Sequence, residues 1–176
     1  MISLQGTDLE HPLGASLPNL ESGHNMEIRI DDLHGPEIAT LLNEHLADMY
    51  RVSPPESVHA LDLDALRIPA ITFWTLWLEN RLGGCIALLQ HDAVHGEIKS
   101  MRTTTAYRGQ GLAPRLLQHL IDAARQRGLH RLSLETGAEP FFAPARKLYA
   151  AFGFTECPPF ADYTSDPNSV YMTREI

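Results

Sequence analysis

Cysteine is scarce in this chain. Cys85 and Cys157 are its only two, and they fall in different apolar segments without metal-ligand spacing, so two free, reduced thiols are expected rather than a disulfide or zinc framework. Positive charge is scarce as well: 14 Lys and Arg stand against 22 Asp and Glu, a formal net charge of −8. Nucleic acid and anionic membrane surfaces both require a basic footprint, so neither is an expected general partner. No apolar run approaches the roughly 18 residues that cross a bilayer. Residues 1–25 contain no Lys or Arg with which a signal peptide would begin. A soluble cytoplasmic protein is the expectation. No internal repeat is found, and the nine His residues form no metal site by spacing, since His91 and His95 straddle a turn signal rather than share a helix face.

What the chain does have is one core's worth of apolar residues. Its 176 residues are 44% hydrophobic, which suits one domain. Residues 1–25, rich in Gly, Pro, Ser and Asn, are expected as an extension, with the domain spanning 26–176. Met26 to Ile30 alternates as a half-buried strand does, and Ile38, Leu41, Leu42, His45, Leu46 and Met49 follow helical spacing after Pro36. Ser53-Pro54-Pro55-Glu56 can open one short helix or two. Residues 71–78 and 82–90 predict a hairpin around Glu79-Asn80-Arg81, and 96–103 a third strand. Leu112, Leu116, Leu117, Leu120, Ile121 and Ala124 make a broad helical stripe ending at Gly128. A strand over 131–136, a helix beginning near Pro144 and ending at Gly153, and a closing strand over 169–176 complete the pattern. Strands that first meander and then alternate with helices imply a mixed α/β sheet covered by helices on both faces.

The chemistry concentrates where the third strand meets that broad helix. Tyr107-Arg108-Gly109-Gln110-Gly111-Leu112-Ala113 puts a glycine-rich turn at a helix N-terminus, where first-turn N–H groups lack intrahelical partners and the macrodipole is positive. Gly109 and Gly111 let a diphosphate approach the main chain, and Arg108 adds a charged contact. An ordinary loop has the same spacing. The P-loop is a poor match, since no Lys-Ser or Lys-Thr follows the last glycine, and so is the dinucleotide fingerprint, which needs a third Gly or Ala.

The loop resembles the Arg/Gln-x-x-Gly-x-Gly/Ala element of GNAT acetyltransferases. Ala145-Arg146-Lys147-Leu148-Tyr149-Ala150-Ala151-Phe152-Gly153-Phe154 resembles that family's Ala-x-x-Leu-Tyr-x-x-x-Gly-Phe element, in the right order. Glu135-Thr136-Gly137 and the residues around Pro140 and Phe160 are similar to a bacterial subgroup labelled indole-acetate acetyltransferases, a label that does not assign a substrate. The resemblance implies the GNAT fold and an enzyme that moves an acetyl group from acetyl-CoA to the primary amine of a small molecule, with no metal. A non-catalytic acyl-CoA-binding module and a protein or peptide acetyltransferase are the alternatives. A homodimer is allowed for.

By the same resemblance, backbone groups of the strand end Met101, Arg102 and Thr103 pair with the pantetheine arm, and one of these amides serves as oxyanion donor. Residues Arg108, Gly109, Gln110, Gly111, Leu112 and Ala113 hold the pyrophosphate. Glu97 is the candidate general base, or else a strand carboxylate offsetting Lys99. Tyr149 is the candidate acid that protonates the departing thiolate, or else a packed aromatic. Arg146 and Lys147 are placed for the 3′-phosphate or for solvent. His45 and His59 are candidates for the acceptor pocket, as is the loop from Asp162 to Asn168. Phe142 stands where many relatives have Asn.

Overall fold

The computed structural model describes residues 25–176. Apart from Asn25, the N-terminal extension expected over 1–25 lies outside the described residues. The chain runs β1 (Met26–Ile30), α1 (Pro36–Val52), α2 (Leu63–Leu66), β2 (Ile71–Leu78), β3 (Arg81–Gln90), β4 (His95–Thr103), α3 (Leu112–Gln126), β5 (Arg131–Gly137), α4 (Ala143–Ala151), β6 (Thr155–Glu156) and β7 (Ser169–Glu175). The stretch opened by Pro54 and Pro55 is a single 3-10 turn, Pro55–Ser57, followed by extended chain and then α2, capped by Asp62 Oδ1 accepting from the Ala65 amide at 2.9 Å. The β2–β3 turn is tighter than the sequence implied. Arg81 already pairs with Leu78, and Glu79 and Asn80 alone make the turn, both with positive φ (46° and 66°), the conformation that matches strand twist in two-residue hairpins.

All strands join one seven-stranded sheet, ordered β1-β2-β3-β4-β5-β7-β6. Alternation along β3 sends Ile86 and Leu88 to one face and Cys85 and Ala87 to the other, and each set belongs to its own core. On the first face Leu116, Leu117, Leu120 and Ile121 of α3 are fully buried against Leu132, Leu134 and Ile98. On the second, Ile38, Leu41 and Leu42 of α1 pack with Leu66 and Phe73. Each such side chain contributes on the order of 1.5–3 kcal/mol by leaving water. Helices therefore cover both faces.

Only β4 and β5 run parallel, and their pairing stops early: His95 to Ile98 match Arg131 to Leu134, and beyond that the strands part. Two causes act together. On β4, Ser100 takes φ +51° and the register slips, so that Cys85 opposes Arg102 while Ala87 opposes Lys99; the extra residue bends the strand toward β3. On β5, pairing with β7 continues as far as Gly137 with Ser169, which draws β5 the other way. Gly84 is required beside the bulge, because a Cβ there would lie 2.6 Å from the Arg102 carbonyl oxygen.

Candidate active site

The glycine loop sits at the open end of this split. After the 3-10 turn Thr105–Tyr107, Gly109 and Gly111 have φ +74° and +75°, the left-handed region that glycine enters at least cost. Gly111 is the N-cap of α3 and no side chain caps that helix, so its leading N–H groups are left for another partner. A Cβ built on either glycine would meet nothing within 4 Å. That clear space over a row of main-chain donors fits a diphosphate.

From the loop a groove of about 380 Å³ runs along the end of β4 to α4, lined among others by Arg108, Gly109, Ala113, Met101, Arg102 and Thr103. These are six of the residues singled out in the sequence for the donor. The remaining three stand differently. Leu112 is 2% exposed and its side chain belongs to the core, leaving only its backbone for a ligand. Gln110 turns back to donate to the Ala106 carbonyl at 3.2 Å. Gly111 supplies conformation.

A second, smaller cavity of about 110 Å³ lies between the diverging strands. Lys99 and Ser100 of β4, Glu135 and Thr136 of β5 and the His59–Leu61 segment contribute to its wall. His45, Met101, Phe142, Ala145 and Tyr149 line both spaces. Tyr149 is buried, with its hydroxyl donating to Met101 Sδ at 3.4 Å. Burial, then the charge of Glu135, pushes its pKa above the ordinary phenol value, so the group keeps its proton. Phe142 packs against Gly137, where any side chain would collide with its ring, and brings no polar atom to the groove.

Glu97 is 1% exposed and heavily engaged. Lys99 Nζ lies 2.8 Å from Oε1, the Tyr163 hydroxyl donates to the same oxygen at 2.8 Å, and His91 Nε2 lies 2.8 Å from Oε2. Lys99 also donates to the Tyr163 oxygen at 2.6 Å. Of these groups only Lys99 reaches the small cavity. Glu135 does reach it, with Ser169 Oγ donating to its Oε1 at 2.6 Å. Burial raises the Glu135 pKa above the usual carboxylate value, against the opposing influence of the Ser169 hydrogen bond, His59 and Lys99. His45 is held down to about 4 by burial and then by Arg102, and so is neutral near neutrality. Arg102 donates to Asp48 Oδ2 at 2.9 Å and to His45 Nδ1 at 3.4 Å.

Both histidines named for the acceptor region, His45 and His59, line the small cavity. Tyr163, in the loop named with them, closes the Glu97 cluster. Sequence reasoning named Lys99 as a counter-charge to Glu97, as the ion pair bears out, and Glu135 within the subgroup resemblance, but placed neither at the site. A carboxylate at the end of a buried strand was the available signal, but nothing local says that the neighbouring strand departs there. Cys85 and Cys157 are both free, and Cys85 is buried with its thiol pushed up to about 12. Among the described residues no group of three His, Cys, Asp or Glu is placed to hold a metal ion, and no helix is long and apolar enough to cross a membrane.

Fold and site together define an α/β acyltransferase built on the acyl-CoA N-acyltransferase sheet. The chain belongs to the GNAT family of acetyltransferases, whose model matches residues 38–154. It is 56% identical to the N-acetyltransferase YsnE of Bacillus subtilis (strain 168), itself uncharacterised, over 86% of this chain and 100% of that protein. It is 36% identical to a protein of Azospirillum brasilense named IAA acetyltransferase, covering 77% of this chain and 86% of the other, in keeping with the subgroup resemblance in the sequence. Among solved structures, one from Klebsiella pneumoniae described as an acyl-CoA N-acyltransferase superposes with a TM-score of 0.70 at 26% identity, covering 85% of this chain and 97% of that one.

Proposed function

We propose that this enzyme moves an acetyl group from acetyl-CoA to the primary amine of a small molecule, by direct attack while both are bound. The observation that carries the reading is the wall common to the two spaces: a donor lying in the groove and an acceptor in the cavity would meet at Met101 and Tyr149. Bound acetyl-CoA supplies an activated thioester. The chain does the rest. Main-chain donors from Arg108 to Ala113 hold the pyrophosphate, and the end of β4 from Met101 through Arg102 to Thr103 aligns the pantetheine arm, an arrangement that lowers the barrier by orientation. A strand amide in this segment stabilises the oxyanion without rearranging. Tyr149, whose hydroxyl already points at a sulfur atom, donates its proton to the departing thiolate. Glu97, expected from the sequence as the base or as a counter-charge to Lys99, fits the second role: it holds Lys99, the member of its cluster that borders the cavity.

The cavity's small volume and the His59–Leu61 segment across it favour a compact acceptor over a peptide. A thiol-release screen with acetyl-CoA against amino acids, polyamines, aminoglycosides and peptides tests this. Acceptor-dependent release with a small amine is expected. Release with peptides alone would overturn the small-molecule acceptor, and none at all would overturn the activity.

A further inference from the structure

We propose that Glu135 is the group that takes the proton from the attacking amine, its carboxyl receiving the acceptor ammonium in the gap between β4 and β5. The inference rests on the acetyl-transfer reading above and names a residue that reading leaves idle. Position carries it. Leu134 is the last β5 residue paired with β4, so Glu135 is the first whose flank is opened by the bulge at Ser100. Its side chain leaves the same face as that of Ser133, the register partner of Glu97. Glu97, one step inside the paired region, has both oxygens engaged by Lys99, Tyr163 and His91 and lies off the cavity wall. Glu135 lies on that wall, turned by the Ser169 hydrogen bond to one of its oxygens. It is also close enough to Tyr149 for its charge to help hold the proton on the phenol. Acid and base thus border one small space from different elements, β5 and α4.

The protons balance as follows. An N–H proton of the ammonium passes to a Glu135 oxygen, and the freed lone pair forms the C–N bond. The C–S bond breaks with its electron pair leaving on sulfur, which takes the Tyr149 proton. A second proton leaves the nitrogen and restores Tyr149, so one proton in total goes to solvent, by way of Glu135. Lys99 and Glu97 of β4, His59, Tyr163, Tyr171 of β7 and Tyr149 of α4 are the titratable groups acting with Glu135. Because burial outweighs the Ser169 hydrogen bond, His59 and Lys99, activity with a protonated amine should fall as pH drops through a value above the usual carboxylate range.

The test compares two small nucleophiles in wild type and Glu135→Gln. Ethylamine is protonated near neutrality and needs a base; hydroxylamine is largely unprotonated and does not. Glu135→Gln should slow transfer to ethylamine about a hundredfold or more, while transfer to hydroxylamine and the calorimetric affinity for CoA change little. In the wild type with CoA bound, the Glu135 carboxyl carbon resonance should shift on titration with ethylammonium. Undiminished transfer to ethylamine, equal loss with both nucleophiles, or a carboxyl resonance that ignores ethylammonium would each overturn the assignment. Wild-type protein that binds CoA yet acetylates neither nucleophile counts against acetyl transfer itself, and the ethylammonium titration then decides the ammonium site alone.

Discussion

The glycine loop and the small cavity are neighbours built on opposite plans. The loop is one run of sequence, Arg108 to Ala113, and it presents main-chain N–H groups at a helix start. The cavity gathers side chains from α1, β4, β5, α4 and the segment after the 3-10 turn at Pro55. A contiguous main-chain site tolerates many side chains but not a change of backbone conformation. A gathered site tolerates small backbone changes at each element but depends on where two strands separate.

The sharpest way to break that contrast is Gly111→Val. A β-branched residue at φ +75° is strained and places its methyl groups where the diphosphate would lie. Calorimetry should detect no CoA binding while circular dichroism stays that of the wild type; normal affinity would remove the loop from the donor site. Tyr149→Phe should do the reverse, lowering turnover about a hundredfold with CoA affinity nearly unchanged, and unaltered turnover in the thiol-release assay would make Tyr149 a packing residue only. Gly84→Ala probes the separation of the strands. The new methyl meets the Arg102 carbonyl oxygen at 2.6 Å, so urea unfolding should report a loss of about 1–3 kcal/mol, with transfer falling because the bulge moves.

The smallest expected effect concerns His45, which lines both spaces. Its folded pKa of about 4 lies below the unfolded value near 6.5, so the unfolded chain takes up the proton first. Its contribution to stability is complete above pH 6.5 and is lost as pH falls toward 4, by roughly 1–3 kcal/mol. Urea midpoints at neutral and acid pH should converge in slope with His45→Gln, and an unchanged pH dependence would place that proton elsewhere.

Most elements were legible in the sequence because local patterns encode them: period-two alternation in Met26–Ile30, the Leu stripe of α3, the glycine stops at Gly128 and Gly153, both with positive φ. Less legible were features that depend on a neighbour. The left-handed Ser100 and its register slip leave no mark in a strand that otherwise alternates. The two-residue β6 is held only by pairing with β7. Glu97 and Glu135 look alike in sequence, each a carboxylate within a strand. They differ because one lies inside the last paired residues of β4 and β5 and the other just outside them.

The sequence by itself determined the family, the order of strands and helices and the glycine turn that opens α3, since each is written in spacing along the chain. Tertiary structure alone decided which carboxylate is enclosed by Lys99, Tyr163 and His91 and which faces the cavity. Side chains from distant segments meet only once β4 bends toward β3 and β5 follows β7, and that divergence belongs to the sheet as a whole rather than to any one strand.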